Sequence, residues 1–212
     1  MQREQTIKLK KQPKIIASYS IVGPKEGNGN FGSYFDYVMK NDCFGQDTFE
    51  KAERKMIESA ITGVIEKAKL QPKDIDIMIS GDLLNQIISS SYAARAFQFP
   101  FLGVYGACST MAESVAVASV LVDGGYFDHI VCCTGSHFST AERQYRFPLE
   151  LGNQRPPTSQ WTVTGAGSCI LSLKGEGPRI SMVTFGKVVD WGINDVNNMG
   201  AAMAPKMAII GP

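Results

Sequence analysis

Histidine is almost missing from this sequence: His129 and His137 are the only two in 212 residues. That leaves little for a metal centre built on imidazole. Five cysteines (Cys43, Cys108, Cys132, Cys133, Cys169) are an odd number, and no two are separated by two residues. A CxxC zinc or redox motif and a disulfide framework are thereby excluded. A charge excess is lacking too, since 21 Lys+Arg against 20 Asp+Glu leave +1, short of the basic surplus of a dedicated nucleic-acid binder. The longest strongly apolar stretch, Ser114 to Val122, is about half of what a bilayer-spanning helix needs. No apolar core follows the charges of the opening MQREQTIKLKKQPK, so no secretory signal is read there. These absences describe a soluble intracellular protein without a transmembrane segment.

What is present suits a packed core, with 44% hydrophobic and 9% aromatic residues. The length allows one large domain or two small ones at roughly 150 residues each. Residues 1–13 are polar, with Lys8, Lys10 and Lys11 close together. They read as a flexible basic arm, solvated or in weak contact with an anionic surface. Ile15 to Val22 reads as a strand stopped by Gly23-Pro24, and Gly27 to Gly32 (GNGNFG) as a loop rather than a phosphate site. A long helix follows. Asp47 is placed to cap it with Glu50 three residues on, and Phe49, Ala52, Met56, Ala60, Ile61, Val64 and Ala68 recur at helical spacing. Pro72 closes it.

Ile75 to Ile79 then reads as a strand, Asn85 to Phe97 as a helix and Leu102 to Ala107 as an apolar strand. A helix from about Ser109 to Val122 is apolar on nearly every face, which predicts burial on all sides. Asp123-Gly124-Gly125 ends it. Phe127 to Thr134 is a buried-strand pattern, 138–160 reads as irregular and polar, and Trp161 to Leu173 and Arg179 to Val189 read as closing strands. The alternation implies an α/β fold with a mixed, mostly parallel sheet.

Cys108 lies between a buried strand and a helix start, where free N–H groups and the helix dipole favour an anion. It reads as a nucleophile or as a small packing residue. Thr110 and Glu113 have capping-box spacing. The other reading of Glu113 is a carboxylate lining a pocket beside Cys108, where it would raise the thiol pKa. His137 ends a strand in Gly135-Ser136-His137, a place where ligands bind in parallel sheets, or it is a surface histidine. Cys132 and Cys133 are adjacent on a strand, point to opposite faces and read as packing. Arg143 and Arg146 read as cationic forks for carboxylates or as solvated loop residues. Thr162 belongs to the strand entry Trp161 to Gly167, whose glycines permit close backbone approach.

Gly106-Ala107-Cys108-Ser109, the apolar helix behind it, Gly135-Ser136 and Gly165-Ala166-Gly167 together resemble the thiolase superfamily. More narrowly, YGACSTMAES (105–114), CCTGSHFSTAERQYRFPLE (132–150), WTVTGAGSCILS (161–172) and VVDWGINDVNNMGAAMAP (188–205) resemble the stage V sporulation protein AD family. The resemblance implies a thiolase-like fold, layered αβαβα, of two pseudo-equivalent halves, normally a homodimer. Residues 14–190 would then form the first half and 191–212 a connection into the second. It implies binding of dipicolinic acid (pyridine-2,6-dicarboxylate), often with calcium and with no other cofactor. It also implies uptake of that ligand into the developing spore beside membrane proteins of the same sporulation system, peripheral at the spore inner membrane. Cys108 falls on the nucleophile position, here vestigial, and His137 on a pocket-wall segment. Glu113, Arg146 and Thr162, which the resemblance does not match to a ligand contact, are added to these as expected ligand-binding residues. The alternative is an acyltransferase of the thiolase or ketoacyl-synthase kind with Cys108 as nucleophile, although its usual histidine or asparagine partners come from the second half.

Overall fold

The computed structural model describes residues 5–84, 87–145, 162–187, 190, 192 and 194, with the side chains of 142–145 left aside. Among the described residues there are eight strands: β1 Thr6–Lys8, β2 Lys14–Val22, β3 Tyr37–Val38, β4 Ile77–Asp82, β5 Phe101–Gly103, β6 His129–Ser136, β7 Gly165–Ser172 and β8 Met182–Thr184. The helices are α1 Pro24–Gly27, α2 Phe49–Lys67, α3 Ile88–Phe97, α4 Thr110–Gly124 and α5 Phe138–Tyr145. Residues Ile7–Val183 make one compact unit. The second joins Met1–Thr6 with Thr184–Pro212, and in it the Phe185 N–H donates to the Gln5 carbonyl at 3.0 Å.

Six strands form one sheet in the order β3-β2-β7-β6-β4-β5. Only β7 runs against the rest, antiparallel to both β2 and β6. Alternation along the strands sends neighbouring residues to opposite faces. Met78, Val131, Cys133 and Ile170 join α2 and α3 in one core, and Ile79, Ile130, Cys132 and Leu171 join α4 in the other. Cys132 and Cys133 are therefore packing residues, both fully buried. Burial pushes the Cys132 thiol up, reinforced by Cys169 opposite it, and raises Cys133 as well. Neither is a nucleophile.

The periodic residues of α2 do face the core, Ala52, Met56, Ala60, Ile61 and Val64 all being inaccessible. Its cap differs from the expectation. Thr48 accepts the Lys51 N–H at 3.2 Å, while Asp47 pairs with the Lys51 ammonium at 2.8 Å. Both residues are competent caps, and the extended backbone of Thr48 (φ −136°, ψ 156°) puts its hydroxyl over the first turn.

Two further expectations are corrected. Residues 138–160 do not begin as irregular chain, because α5 occupies Phe138–Tyr145. The helix α4 is not buried all round: Thr110, Ser114, Ala118, Ser119 and Val122 face the sheet, whereas Ala112 and Gly124 are exposed. One helix face touches β4, β6 and β7, and most of the remaining positions are half-buried. The stretch Ala107–Gly124 is long and apolar enough, by length and composition alone, to cross a membrane. Here it lies on the sheet. The expected turn at Gly125 holds, with φ +79° at the helix end.

The basic arm is tied down over much of its length. Leu9 is 3% exposed, and Asp123 at the end of α4 accepts the backbone N–H groups of Lys10, Lys11 and Gln12 at 3.0, 2.6 and 3.1 Å. Desolvation opposes ionisation of Asp123, yet these donors bring its pKa below the ordinary carboxylate value. Asp123→Ala should cost about 1 kcal/mol, as loss of a capping acceptor does. Amide exchange at Leu9–Gln12 should accelerate well beyond that of the sheet, and unchanged exchange there would contradict the clamp.

Candidate functional site

The registers Val22↔Gly165, Ser136↔Gly165 and Asp82↔Gly135 align the carboxyl ends of β2, β6 and β4 with the start of β7. Ligands bind along such an edge in α/β sheets. Two features stand on it.

The first is the turn carrying Cys108. After β5 the chain enters a 3-10 turn, Ala107–Ser109, that leads into α4. Ala107 adopts φ +48°, a left-handed conformation that is uncommon for a residue with a side chain. The turn is closed locally: Ser109 N–H and Oγ both donate to the Gly106 carbonyl, at 3.0 and 2.8 Å. Thr110 Oγ1 donates to the Ala107 carbonyl at 2.8 Å and accepts the Gly106 N–H at 3.2 Å. The Cys108 thiol is exposed. The expected capping box between Thr110 and Glu113 is not formed, because the Thr110 hydroxyl is spent on Gly106 and Ala107. Glu113 Oε2 is buried without a hydrogen-bond partner and lies against Gly106, 2.7 Å from where a Cβ would sit. Glu113, in the first turn of α4, thus reaches back to Gly106 at the start of the turn that carries Cys108.

The second feature is a cavity of about 280 Å³ between the end of β2 and the start of β7, lined by Lys25, Glu26, Asp42, Phe138, Thr162 and Thr164. Glu26 Oε1 accepts the Thr164 N–H at 3.0 Å, and its Oε2 has no partner. Glu26 Oε2 and Asp42 Oδ1 both approach Gly23, 2.7 and 3.0 Å from a Cβ placed there. Thr164 Oγ1 in turn accepts the Phe138 N–H at 3.0 Å, which fixes the aromatic wall.

His137 supports this wall from behind. It is wholly buried, between the rings of Phe49 at 4.7 Å and Phe138 at 5.0 Å. Its Nε2–H donates to the Asp42 carbonyl at 3.0 Å, and Nδ1 accepts the Ser139 N–H at 3.2 Å. Desolvation lowers its pKa, so it is a neutral imidazole with both nitrogens occupied. The surface reading of His137 is thereby corrected, and as a ligand contact it has no polar atom left to offer. Thr162 does line the cavity; Cys108 and Glu113 are not among its lining residues. Arg146 lies outside the described residues, as do Arg155 and Trp161, and of Arg143 only the backbone is described. Sequence reasoning passed over Lys25, Glu26 and Asp42, although Glu26 follows the end of the first strand by four residues and the strand-end rule points to it.

The sheet order, the single antiparallel strand and the cysteine at the strand–helix junction make this a thiolase-like fold. Solved structures share it: OleA of Xanthomonas campestris (H285N) at TM-score 0.54 and 14% identity, over 78% of this chain and 57% of that one. The 3-oxoacyl-[acyl-carrier-protein] synthase III of Aquifex aeolicus VF5 matches at TM-score 0.52 and 12% identity, over 76% and 53%. These likenesses are of fold alone. Within that fold the chain belongs to the stage V sporulation protein AD family, whose pattern it matches over residues 3–210, and is by family a sporulation protein. Stage V sporulation protein AD of Bacillus subtilis (strain 168) is 46% identical over 194 residues, which is 92% of this chain and 57% of the relative. The chain spans a little over half the length of that relative.

Proposed function

We propose that this protein binds dipicolinic acid, as its calcium chelate, at the carboxyl edge of the sheet and supports uptake of that ligand into the developing spore. The observation that carries the reading is the cavity at the β2–β7 end. Two carboxylate residues, Glu26 and Asp42, a lysine and two threonines line a space walled by a phenyl ring, and one Glu26 oxygen, buried against Gly23, has no hydrogen-bond partner. A free aromatic dicarboxylate would be repelled by Glu26 and Asp42. A hard divalent cation carried on it turns those oxygens into ligands, while Phe138 offers a face to the pyridine ring. In this reading calcium arrives on the ligand, as cargo.

The acyl-transfer alternative has the exposed Cys108 and its left-handed turn in its favour. Against it, the two histidines of this chain are unsuited as a base for Cys108. His129 begins β6, at the other edge of the sheet, and His137 is fully engaged. The homodimer and the membrane-protein partners rest on family resemblance. The outer edge of β5, unpaired among the described residues and bearing exposed Leu102, with exposed Tyr105 just beyond the strand, is a surface such a dimer would use.

Calorimetric titration of dipicolinic acid into the protein, with and without calcium, tests the reading. A saturable heat that needs calcium is expected. Glu26→Gln should weaken binding about tenfold, one lost charge–cation contact at about 1.4 kcal/mol. Cys108→Ala should bind as the parent does. Absence of heat from folded protein, or undiminished binding by Glu26→Gln, would overturn it. Rapid alkylation of Cys108 that acyl-CoA blocks would favour acyl transfer instead.

A further inference from the structure

Glu53 is a polar residue that the ligand reading does not use. It sits in the second turn of α2, fully buried, and reaches the first turn of α5. Glu53 Oε2 is 2.7 Å from Thr140 Oγ1, which is also 3.0 Å from the His137 carbonyl oxygen. That carbonyl accepts the Ala141 N–H as well, so it heads α5.

Counting protons decides who donates. The Thr140 hydroxyl has one hydrogen, and a carbonyl can only accept. If Thr140 donates to His137, the Glu53 contact requires the proton to be on the carboxyl. The other oxygen, Oε1, is buried with no partner, a place where a carboxylate would be severely penalised and an acid carbonyl much less so. We infer that Glu53 is a positioning residue held as the neutral acid: its O–H donates to Thr140, whose own O–H donates to His137, and this two-bond relay pins the His137–Phe138 wall of the cavity to α2.

The surroundings agree. Burial is the main reason the Glu53 pKa is pushed up to about 8, and the charges facing it add to this. They are Asp82 from the end of β4 and Glu50 on α2 itself; a Thr140 hydroxyl donating to Glu53 would work the other way, but that hydrogen is committed to the His137 carbonyl. His137, on the adjoining turn, is neutral and contributes no opposing charge. Because the folded-state pKa is raised above the ordinary 4.5, the stabilisation is complete below about 4.5. It is lost progressively as pH rises through the folded value near 8. Between those values the proton held only in the folded state makes the folding constant fall by up to about tenfold per pH unit.

The test is an infrared pH titration of the protein carrying 13C-labelled glutamate, combined with denaturant melts from pH 5 to 9. The expected result is one carboxyl C=O band that persists at pH 7, disappears near pH 8, and is absent from Glu53→Gln. Glu53→Gln, whose amide still donates to Thr140, should keep α5 protected from amide exchange at pH 9 and lose most of the pH slope. Glu53→Leu should leave α5 unprotected at every pH. Loss of all glutamate acid bands near pH 4.5, or the same slope in the parent and in Glu53→Gln, would overturn the inference. The infrared titration of the parent needs no variant, so it decides even if the substitutions fail to fold.

Discussion

Gly81→Ala should lower stability by about 3 kcal/mol, the upper end of the usual cost of overpacking. It should also displace the turn that presents Cys108. Gly81 lies in β4, where an added Cβ would stand 2.0 Å from the Val104 carbonyl oxygen and 2.7 Å from Thr110 Cγ2. The first obstacle is backbone and cannot swing away. Val104 itself donates to the Ser80 carbonyl at 3.0 Å, so moving it strains the pairing of β4 with β5. Thr110 is the residue whose hydroxyl closes the 106–110 turn, so the substitution reaches Cys108 without touching it. Denaturant melts give the stability, and the alkylation rate of Cys108 reports the turn. A change under about 0.5 kcal/mol with an unaltered rate would show that the strands yield more easily than this packing implies.

Leu171→Ala should cost about 3 kcal/mol, within the range for removing most of a buried leucine. Leu171 is wholly buried on β7 beneath α4. Its neighbour Ile170 is equally buried but faces α2. The two substitutions therefore separate the layers. Leu171→Ala should raise amide exchange in α4 first, and Ile170→Val, a loss of about 1 kcal/mol, should be felt in α2. Exchange spread evenly over both helices in Leu171→Ala would mean that the cores do not behave as distinct layers.

The parts of the fold legible in the sequence are those whose signal is local. The apolar spacing from Phe49 to Val64 allows little but a helix with one buried face. Gly125 ends α4 as a left-handed residue should, and Cys108 does precede the apolar helix, although the strand expected over Leu102–Ala107 stops at Gly103 and a 3-10 turn, Ala107–Ser109, intervenes. Each element misread has its decisive partner far away. Thr6–Lys8 is three residues long and becomes a strand only by pairing with Met182–Thr184. The polar run after His137 forms α5 because Thr140 meets Glu53 from another helix. The choice of Thr48 over Asp47 as cap rests on backbone angles that composition does not carry. The cavity draws Lys25, Glu26, Asp42, Phe138, Thr162 and Thr164 from four separate stretches of chain, and only Thr162 among them stands out in the sequence. An all-apolar α4 announces burial but not how many sides are covered.

The late arrival of β7 bears on how the chain is made. Residues 14–22 of β2 emerge early, yet their antiparallel neighbour is 165–172, and β6 waits for the same strand. At about 5–20 residues per second, β2 is synthesised roughly 7–30 s before that neighbour. During that interval the apolar Ile15, Ile16, Ile21 and Val22 have only the two-residue β3 as a sheet neighbour. Assembly of this sheet is closed from its middle by the last of its strands to be translated, which makes nascent chains stalled before residue 165 the species most exposed to aggregation and to chaperone capture.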